Sequence, residues 1–437
     1  MQGSPAIPAH ARAVPTLFNL VFSTGILSAG RYLGAGFGFL SALFLTAFLP
    51  PDALGRYFTV FSALSVAAIV VCLGYPSVTA KFLAEYAERG MFAERTRFLR
   101  TSRRRGLGLS IVAAGTGTII GLFLLPESTG SIVAIGSWFL PAVALLRLNG
   151  AFAIARRRPA LGFLPDAMAR PLLFLCGLSV FPLLPAAMLP EATIILAVVA
   201  AWIAALYQGA TLRPALMDVL DAGSQRANKA DRASDRGWTA TAIWMLPSVI
   251  ALTLIAEAIV LAASPYLAAD AIAVLTITLK LAFLGGFAIQ AVLQALQPDI
   301  AEAIAGQDRA NLFRINGLAG SVAMAAVIAA TLAVWLLGEP LLALFGADYA
   351  SGAVLLIWLT AAQAVRIPGL IATQILTQQG ASRTLSACAA LSLALLFGVS
   401  AILLPGADIT MVAIPAIAAM AFFSMGTTWF AARSLRG

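Results

Sequence analysis

The chain of 437 residues is 61% hydrophobic and only 11% charged, and its 28 Lys and Arg outnumber its 19 Asp and Glu. Soluble domains average roughly 45–50% apolar and about 25% charged residues, so a globular core could not bury this much apolar surface. The composition excludes a soluble protein, and the long unbroken apolar runs exclude a barrel of short alternating strands. The sequence predicts an all-α integral membrane protein.

Twelve transmembrane helices are predicted from the positions of charges, Pro and Gly, because a helix needs about 20 apolar residues to cross the hydrocarbon core. In chain order the predicted spans are residues 28–49, 57–80, 106–125, 131–155, 161–184, 192–212, 239–262, 271–296, 315–337, 352–376, 384–404 and 410–432. Asp166 and Arg170 interrupt the start of the fifth span.

The distribution of cations predicts the orientation of these spans. With a cytoplasmic N-terminus, 22 of the 28 Lys and Arg fall in inner segments, and the outer loops hold one, Arg56. This asymmetry follows the positive-inside rule, so both termini are predicted to be cytoplasmic. The clusters Arg103 to Arg105 and Arg156 to Arg158 are expected to contact anionic inner-leaflet lipids.

A polar segment at the middle of the chain divides the spans into two groups of six. Four acids are interspersed with cations in this segment, namely Asp218, Asp221, Asp231 and Asp235. We predict an N-terminal six-helix lobe over residues 1–212, a cytoplasmic linker over 213–238 and a C-terminal six-helix lobe over 239–437. Transporters are often built from two such repeats.

Several catalytic chemistries are excluded by the residue types present. The one histidine, His10, lies in the polar N-terminal tail, so the spans cannot assemble a Ser-His-Asp or Cys-His set or a histidine metal site. None of the three lysines follows Gly in a phosphate-binding loop. Cys72, Cys176 and Cys388 fall in apolar runs and are interpreted as small core residues. We predict a protein that is not an enzyme and uses no cofactor or metal.

Five cations lie inside the predicted spans, and they carry the functional prediction. A cation facing lipid costs about 2.5–3.5 kcal/mol on insertion scales, so such residues usually face a bundle interior or a water-filled cavity. Five cations with few acids at similar depth indicate an anionic ligand, and the planar arginine fork suits phosphate oxygens. These cations are Arg31, Arg147, Arg170, Lys280 and Arg366.

Two acids also lie inside the spans. Asp166 precedes Arg170 by four residues, and an ion pair across one helical turn is a sufficient structural account of both charges. Arg170 is therefore left out of the predicted binding set. Glu257 is a candidate ion-coupling residue for protons or sodium, with pairing to one of the cations as the alternative interpretation.

Two stretches of the chain resemble a known family. The sequence Leu49-Pro-Pro-Asp-Ala-Leu-Gly-Arg-Tyr57, followed by an apolar span and Lys81-Phe-Leu-Ala-Glu-Tyr86, is similar to the N-terminal pattern of Wzx-type oligosaccharide flippases of the polysaccharide biosynthesis family. The segment from Gly338 to Tyr349, with Gln379-Gly380 after the next span, resembles the C-terminal half of the same family. That family belongs to the multidrug/oligosaccharidyl-lipid/polysaccharide exporter superfamily.

The resemblance implies two six-helix lobes around a central cavity that opens alternately to each face of a bacterial cytoplasmic membrane. The implied cargo is a polyprenyl-diphosphate-linked oligosaccharide, moved to the outer leaflet for lipopolysaccharide or exopolysaccharide assembly. Implied partners are a polysaccharide polymerase and glycosyltransferases, and nucleic acid is not among them. Arg31 is the cavity cation that the resemblance itself suggests, whereas Arg147, Lys280 and Arg366 depend on the charge argument.

Alternative functions make different demands on the same residues. A multidrug or cation antiporter of the same superfamily is expected to use cavity acids, whereas this interior is net basic. A membrane-embedded polymerase or ligase is expected to place polar catalytic residues in a sizeable loop, whereas the predicted outer loops are short. A non-transporting scaffold of a polysaccharide assembly complex would not depend on the intramembrane cations at all.

Overall fold

The regular secondary structure of the described residues is helical throughout. The computed structural model describes residues 17–224, 232–295, 300, 306 and 308–435. Its α-helices are α1 (Leu17–Phe48), α2 (Pro51–Val71), α3 (Tyr75–Glu88), α4 (Phe92–Phe123), α5 (Glu127–Gly136), α6 (Phe139–Ala155), α7 (Pro159–Leu164), α8 (Arg170–Leu178), α9 (Leu189–Ser224), α10 (Arg232–Trp244), α11 (Leu246–Thr253), α12 (Ile255–Ala263), α13 (Ala269–Ala295), α14 (Arg309–Ala343), α15 (Ala353–Gln378), α16 (Ser382–Leu403) and α17 (Ala413–Ser434).

Each of the twelve predicted spans is occupied by helical structure. Within the described ranges, nine helical stretches are long and apolar enough to cross a membrane, and the bent pair over residues 237–263 makes a tenth. The first and eighth predicted spans are occupied by α1 and α13. The prediction of an all-α, multi-pass membrane protein is confirmed.

Several helices extend beyond the predicted spans into the charged segments that the sequence predicts to be cytoplasmic. Helix α4 begins at Phe92, well before the predicted start at residue 106, because charged side chains on a helix end are tolerated once the backbone leaves the hydrocarbon layer. Helix α9 likewise continues to Ser224, inside the predicted linker. Residues 225–231 of that linker lie outside the described residues.

Most helix contacts form within the first six or within the last six spans, and α2 and α13 make the main contact between the two halves. Glycine allows the close approach of these two helices. A Cβ atom on Gly55 would lie 1.6 Å from the carbonyl oxygen of Ala269. Apolar residues of both halves therefore form one continuous buried core, which includes Leu54 and Ile272.

Helix α10 packs against the first half, although it begins the seventh span. Trp238 is only 3% exposed and lies edge-on to Phe98, with the ring centroids 5.5 Å apart. Its indole N–H donates a hydrogen bond of 2.6 Å to the Tyr86 hydroxyl. This aromatic cluster holds the Trp238 side chain inside the bundle.

Candidate functional site

A central cavity of about 300 Å³ lies between the two halves. Helix α1 forms one wall through Ala35 and Phe39, and α11, α12, α13 and α15 form the others. Its charged lining residues are Glu257, Lys280 and Arg366. The structure thus brings together three of the five residues predicted to form the site.

An adjoining cavity of about 180 Å³ extends the central one into the first half. The two cavities share Gly38 and Lys280 in their linings. The adjoining cavity also contains Arg170, which the sequence prediction left out of the binding set. The signal that could have found it is its place among the five intramembrane cations, since an ion pair with Asp166 does not prevent Arg170 from facing a cavity.

Each of these cations lies against an aromatic ring. The Lys280 ammonium nitrogen is 5.5 Å from the Phe58 ring centroid, and the Arg366 guanidinium carbon is 5.0 Å from that of Phe283. The attraction of a cation for a ring face is worth about 0.5–2 kcal/mol and uses no hydrogen-bond donor. The rings therefore stabilise the charges and leave their N–H groups available to a ligand.

Neither Lys280 nor Arg366 forms a direct ion pair with Glu257, the acid that lines the same cavity. Among the described residues, no carboxylate oxygen lies within 4.0 Å of either side chain. Arg366 has a neutral partner, because one of its terminal nitrogens donates a 2.8 Å hydrogen bond to Gln363 Oε1. Two cations without a bonded acid make this cavity suited to an anion.

Glu257 lies beside a sharp break in the seventh span. The axes of the helical stretches 237–253 and 255–263 meet at 86°. Just before the break, the Thr253 hydroxyl donates a 2.6 Å hydrogen bond to the Val249 carbonyl oxygen, a contact that often bends helices. Glu257 is in the first turn of α12 and lines the central cavity. Broken helices with charged residues at midspan are a feature of ion and substrate sites in transporters.

The predicted pair of Asp166 and Arg170 is confirmed. Arg170 Nε donates a hydrogen bond of 2.9 Å to Asp166 Oδ1. Between them the helix widens into a π-helical turn over Pro165–Ala169, which the sequence prediction missed. Single π-helical turns occur frequently at functional sites.

Two predicted site residues are not placed in the central cavity. Arg147 lines a separate cavity between α3, α6 and α7. Arg31 lies on α1, one turn before Ala35, and its side chain is outside the described residues.

The end of the bundle that carries the predicted outer loops has an acidic vestibule. Four aspartates from the predicted outer loops line one open vestibule of about 1100 Å³, namely Asp52, Asp270, Asp348 and Asp408. Hydrogen bonds from the backbone N–H and hydroxyl of Thr410 hold the pKa of Asp408 below its usual range. The charge of the vestibule is therefore opposite to that of the cavity.

Solved structures with the same architecture identify the fold. An inward-facing multidrug resistance MATE family transporter of the MOP superfamily matches with a TM-score of 0.71 and 11% identity, over 94% of this chain and 98% of that chain. An outward-facing structure of such a MATE transporter matches with a TM-score of 0.66 and 12% identity, over 95% of each chain. The lipid II flippase MurJ, in an inward closed conformation, matches with a TM-score of 0.67 and 11% identity, over 92% of this chain and 87% of that chain. The chain has the MATE and MurJ fold.

Comparison at the level of sequence gives no assignment, since no family model and no curated protein matches the chain. The MATE and MurJ fold agrees with the superfamily suggested by the Leu49–Tyr57 and Gly338–Tyr349 stretches. In this chain, Lys280 and Arg366 line the cavity between the two helical halves.

Proposed function

We propose that the protein is a flippase that moves a polyprenyl-diphosphate-linked oligosaccharide from the cytoplasmic to the outer leaflet of a bacterial membrane. One observation carries the proposal. Lys280 and Arg366 line the same central cavity, and neither forms a salt bridge with an acid among the described residues. A diphosphate supplies the compact negative charge that these two cations lack. The fold shared with a lipid II flippase supports the same class of cargo.

The chemistry of binding follows from the cations. The Arg366 guanidinium can hold two phosphate oxygens at once, whereas the Lys280 ammonium acts as a point charge. Arg170, in the adjoining cavity, extends the positive field toward the first half. The sugar then lies in the water-filled cavity, and the polyprenyl chain stays in lipid. Arg31 belongs to the proposed set as the cation that α1 supplies.

Net transport in one direction needs a further source of free energy. Attraction to the cations is the same whichever leaflet the cargo came from, so binding alone does not favour export. Glu257 is proposed to bind the coupling ion, because it is the acid that lines the cavity and it adjoins the broken helix. Removal of the product outside by a polymerase would also drive transport.

Flipping in reconstituted vesicles tests the proposal. The substrate is a fluorescent oligosaccharide on polyprenyl diphosphate, and appearance in the opposite leaflet is read by quenching. We expect the K280Q/R366Q variant to flip at least tenfold more slowly than the wild type, because two charge-assisted contacts are lost. Arg158→Gln, a cation outside the cavity, should flip normally. Unchanged flipping by K280Q/R366Q would contradict the proposal.

A multidrug exporter is the second candidate function. The similarity to MATE transporters and the cavity acid Glu257 favour it, whereas the two unpaired cations oppose cationic drugs. Expression in a strain without its own efflux pumps separates the two functions. Drug resistance that depends on Glu257, together with no flipping of the diphosphate-linked substrate, would favour the exporter.

A further inference from the structure

A second cavity, distinct from the central one, lies in the first half of the protein. Its volume is about 330 Å³, and it is bounded by α3, α6, α7 and the π-helical turn. None of its lining residues lines the central or the adjoining cavity. Ile154 at its rim is two residues before the Arg156 to Arg158 cluster, and Ala80 immediately precedes Lys81. The cavity therefore belongs to the cytoplasmic side of the predicted spans.

Arg147 is the cation that lines this second cavity. The Nε atom of Arg147 is buried and has no hydrogen-bond partner within the described part of the chain. Asp166 lines the same cavity, but its Oδ1 already accepts the hydrogen bond from Arg170. No carboxylate among the described residues lies within 4.0 Å of Arg147. Arg147 thus lines the cavity without a bonded carboxylate among the described residues, and an anion in the cavity would supply the charge partner that its guanidinium lacks.

The Asp166–Arg170 ion pair separates the second cavity from the adjoining one. Asp166 lines the second cavity, and Arg170 lines the adjoining cavity. Asp166 lies within the π-helical turn, and Arg170 directly follows it. Arginine binds phosphate with the same two-pronged geometry that it uses for a carboxylate, so an anion that leaves Arg147 can replace Asp166 as the partner of Arg170.

We propose that the Arg147 cavity is a second binding site for a prenyl diphosphate, on the cytoplasmic side of the Asp166–Arg170 pair. The inference depends on the proposed function, since it assigns this site to the same cargo before it enters the central cavity. The order of cations is then Arg147, Arg170, Lys280 and Arg366. The phosphate of an anionic phospholipid has the same chemistry, and the experiment distinguishes the two sources.

Calorimetric titration of the full-length protein counts the sites. The protein is held in nanodiscs of phosphatidylcholine, and the probe is farnesyl diphosphate. We expect two molecules to bind per wild-type chain and one to bind to Arg147→Gln. K280Q/R366Q should also bind one, at the second site, and Arg158→Gln should bind two.

A second variant separates lost binding from lost folding. Ser77 is exposed on the wall of the second cavity, so Ser77→Phe should fill the cavity, remove one binding site and leave every cation in place. The inference would be overturned if a folded Arg147→Gln or Ser77→Phe variant still bound two molecules. It would also be overturned if the wild type bound only one molecule and K280Q/R366Q was the variant that lost this binding. That last result would leave the proposed function intact.

The remaining outcomes are equally decisive. Loss of the Arg147-dependent site when phosphatidylglycerol is added to the nanodiscs would assign the cavity to a phospholipid headgroup and overturn the diphosphate assignment. Binding that disappears in Arg147→Gln but is unchanged in K280Q/R366Q would support the second site and count against the central cavity as the flippase site.

Discussion

Arg366 donates a hydrogen bond of 2.8 Å to Gln363, one turn earlier on α15. Gln363 is buried, and its neutral carbonyl oxygen orients the guanidinium without cancelling the charge. An acid at this position would form an ion pair with Arg366 instead. The identity of residue 363 therefore controls how much of the Arg366 charge is available to an anion.

Gln363→Glu is expected to reduce binding of a diphosphate by tenfold or more, because the introduced carboxylate competes directly for the Arg366 fork. Gln363→Met, which keeps the volume and removes the acceptor, should reduce binding by only a few-fold. Titration with farnesyl diphosphate measures both effects. Equal affinities for the Glu and Met variants would show that Arg366 is not in contact with the anion.

Glu257→Gln is expected to uncouple flipping from an imposed ion gradient. The amide cannot bind or release a proton and holds sodium weakly, so the variant should flip at the same rate with or without the gradient. Initial rates in vesicles with a pH gradient or a sodium gradient provide the measurement. A variant that still responds fully to both gradients would remove Glu257 from the coupling role.

Gly34→Ala is expected to destabilise the protein, whereas Gly36→Ala is not. A Cβ atom on Gly34 would lie 1.7 Å from the Ala167 carbonyl oxygen, and one on Gly36 would meet nothing within 4 Å. Overpacking of this kind costs about 1–3 kcal/mol. Thermal unfolding in detergent should show a lower midpoint for Gly34→Ala alone. Equal midpoints would mean that α1 and the π-helical turn can separate without cost.

Asp166→Asn and Arg170→Gln should each destabilise the protein, and the double variant should be less destabilised than the sum of the two. Asp166 and Arg170 are in direct contact, and pairs in contact show coupling energies of about 0.5–3 kcal/mol. A double-mutant cycle on unfolding measures this coupling. A coupling energy of zero would contradict the inference that this ion pair separates the two cavities.

Tyr86→Phe is expected to destabilise the contact between α10 and the first half. The substitution leaves the buried indole N–H of Trp238 without its acceptor, which costs about 1–3 kcal/mol. Thermal unfolding in detergent should show a lower midpoint for Tyr86→Phe than for the wild type. Trp335→Phe is the control, since Trp335 is 67% exposed and its loss should change little.

The fold was predictable from the sequence because its signals are strong and local. The apolar runs predicted helical structure over each proposed span, and nine helical stretches and one bent pair among the described residues are long and apolar enough to cross a membrane. The inner ends of the helices were not predictable to the residue. Helices such as α4 continue past the apolar run into charged residues, and apolar content alone does not mark where they end.

The candidate site was predictable only in part. Intramembrane charge identified Glu257, Lys280 and Arg366, which do line one cavity. The same signal could not separate Arg147 from that group, since depth along a helix does not say which neighbouring helix a side chain faces. The break beside Glu257 and the π-helical turn were not predicted, because an apolar run shows where a span lies and not how its helix is distorted.

The packing of the seventh span determines where the chain crosses between the two halves. Helix α10 is fixed to the first half through Trp238, while Ser248 on α11 accepts a 3.2 Å hydrogen bond from Ser386 on α16, in the second half. The single residue between these helices is Met245, and Pro247 two residues later removes a helical hydrogen bond beside it. The chain therefore passes from contacts with the first half to contacts with the second half at the α10–α11 boundary, inside the bundle.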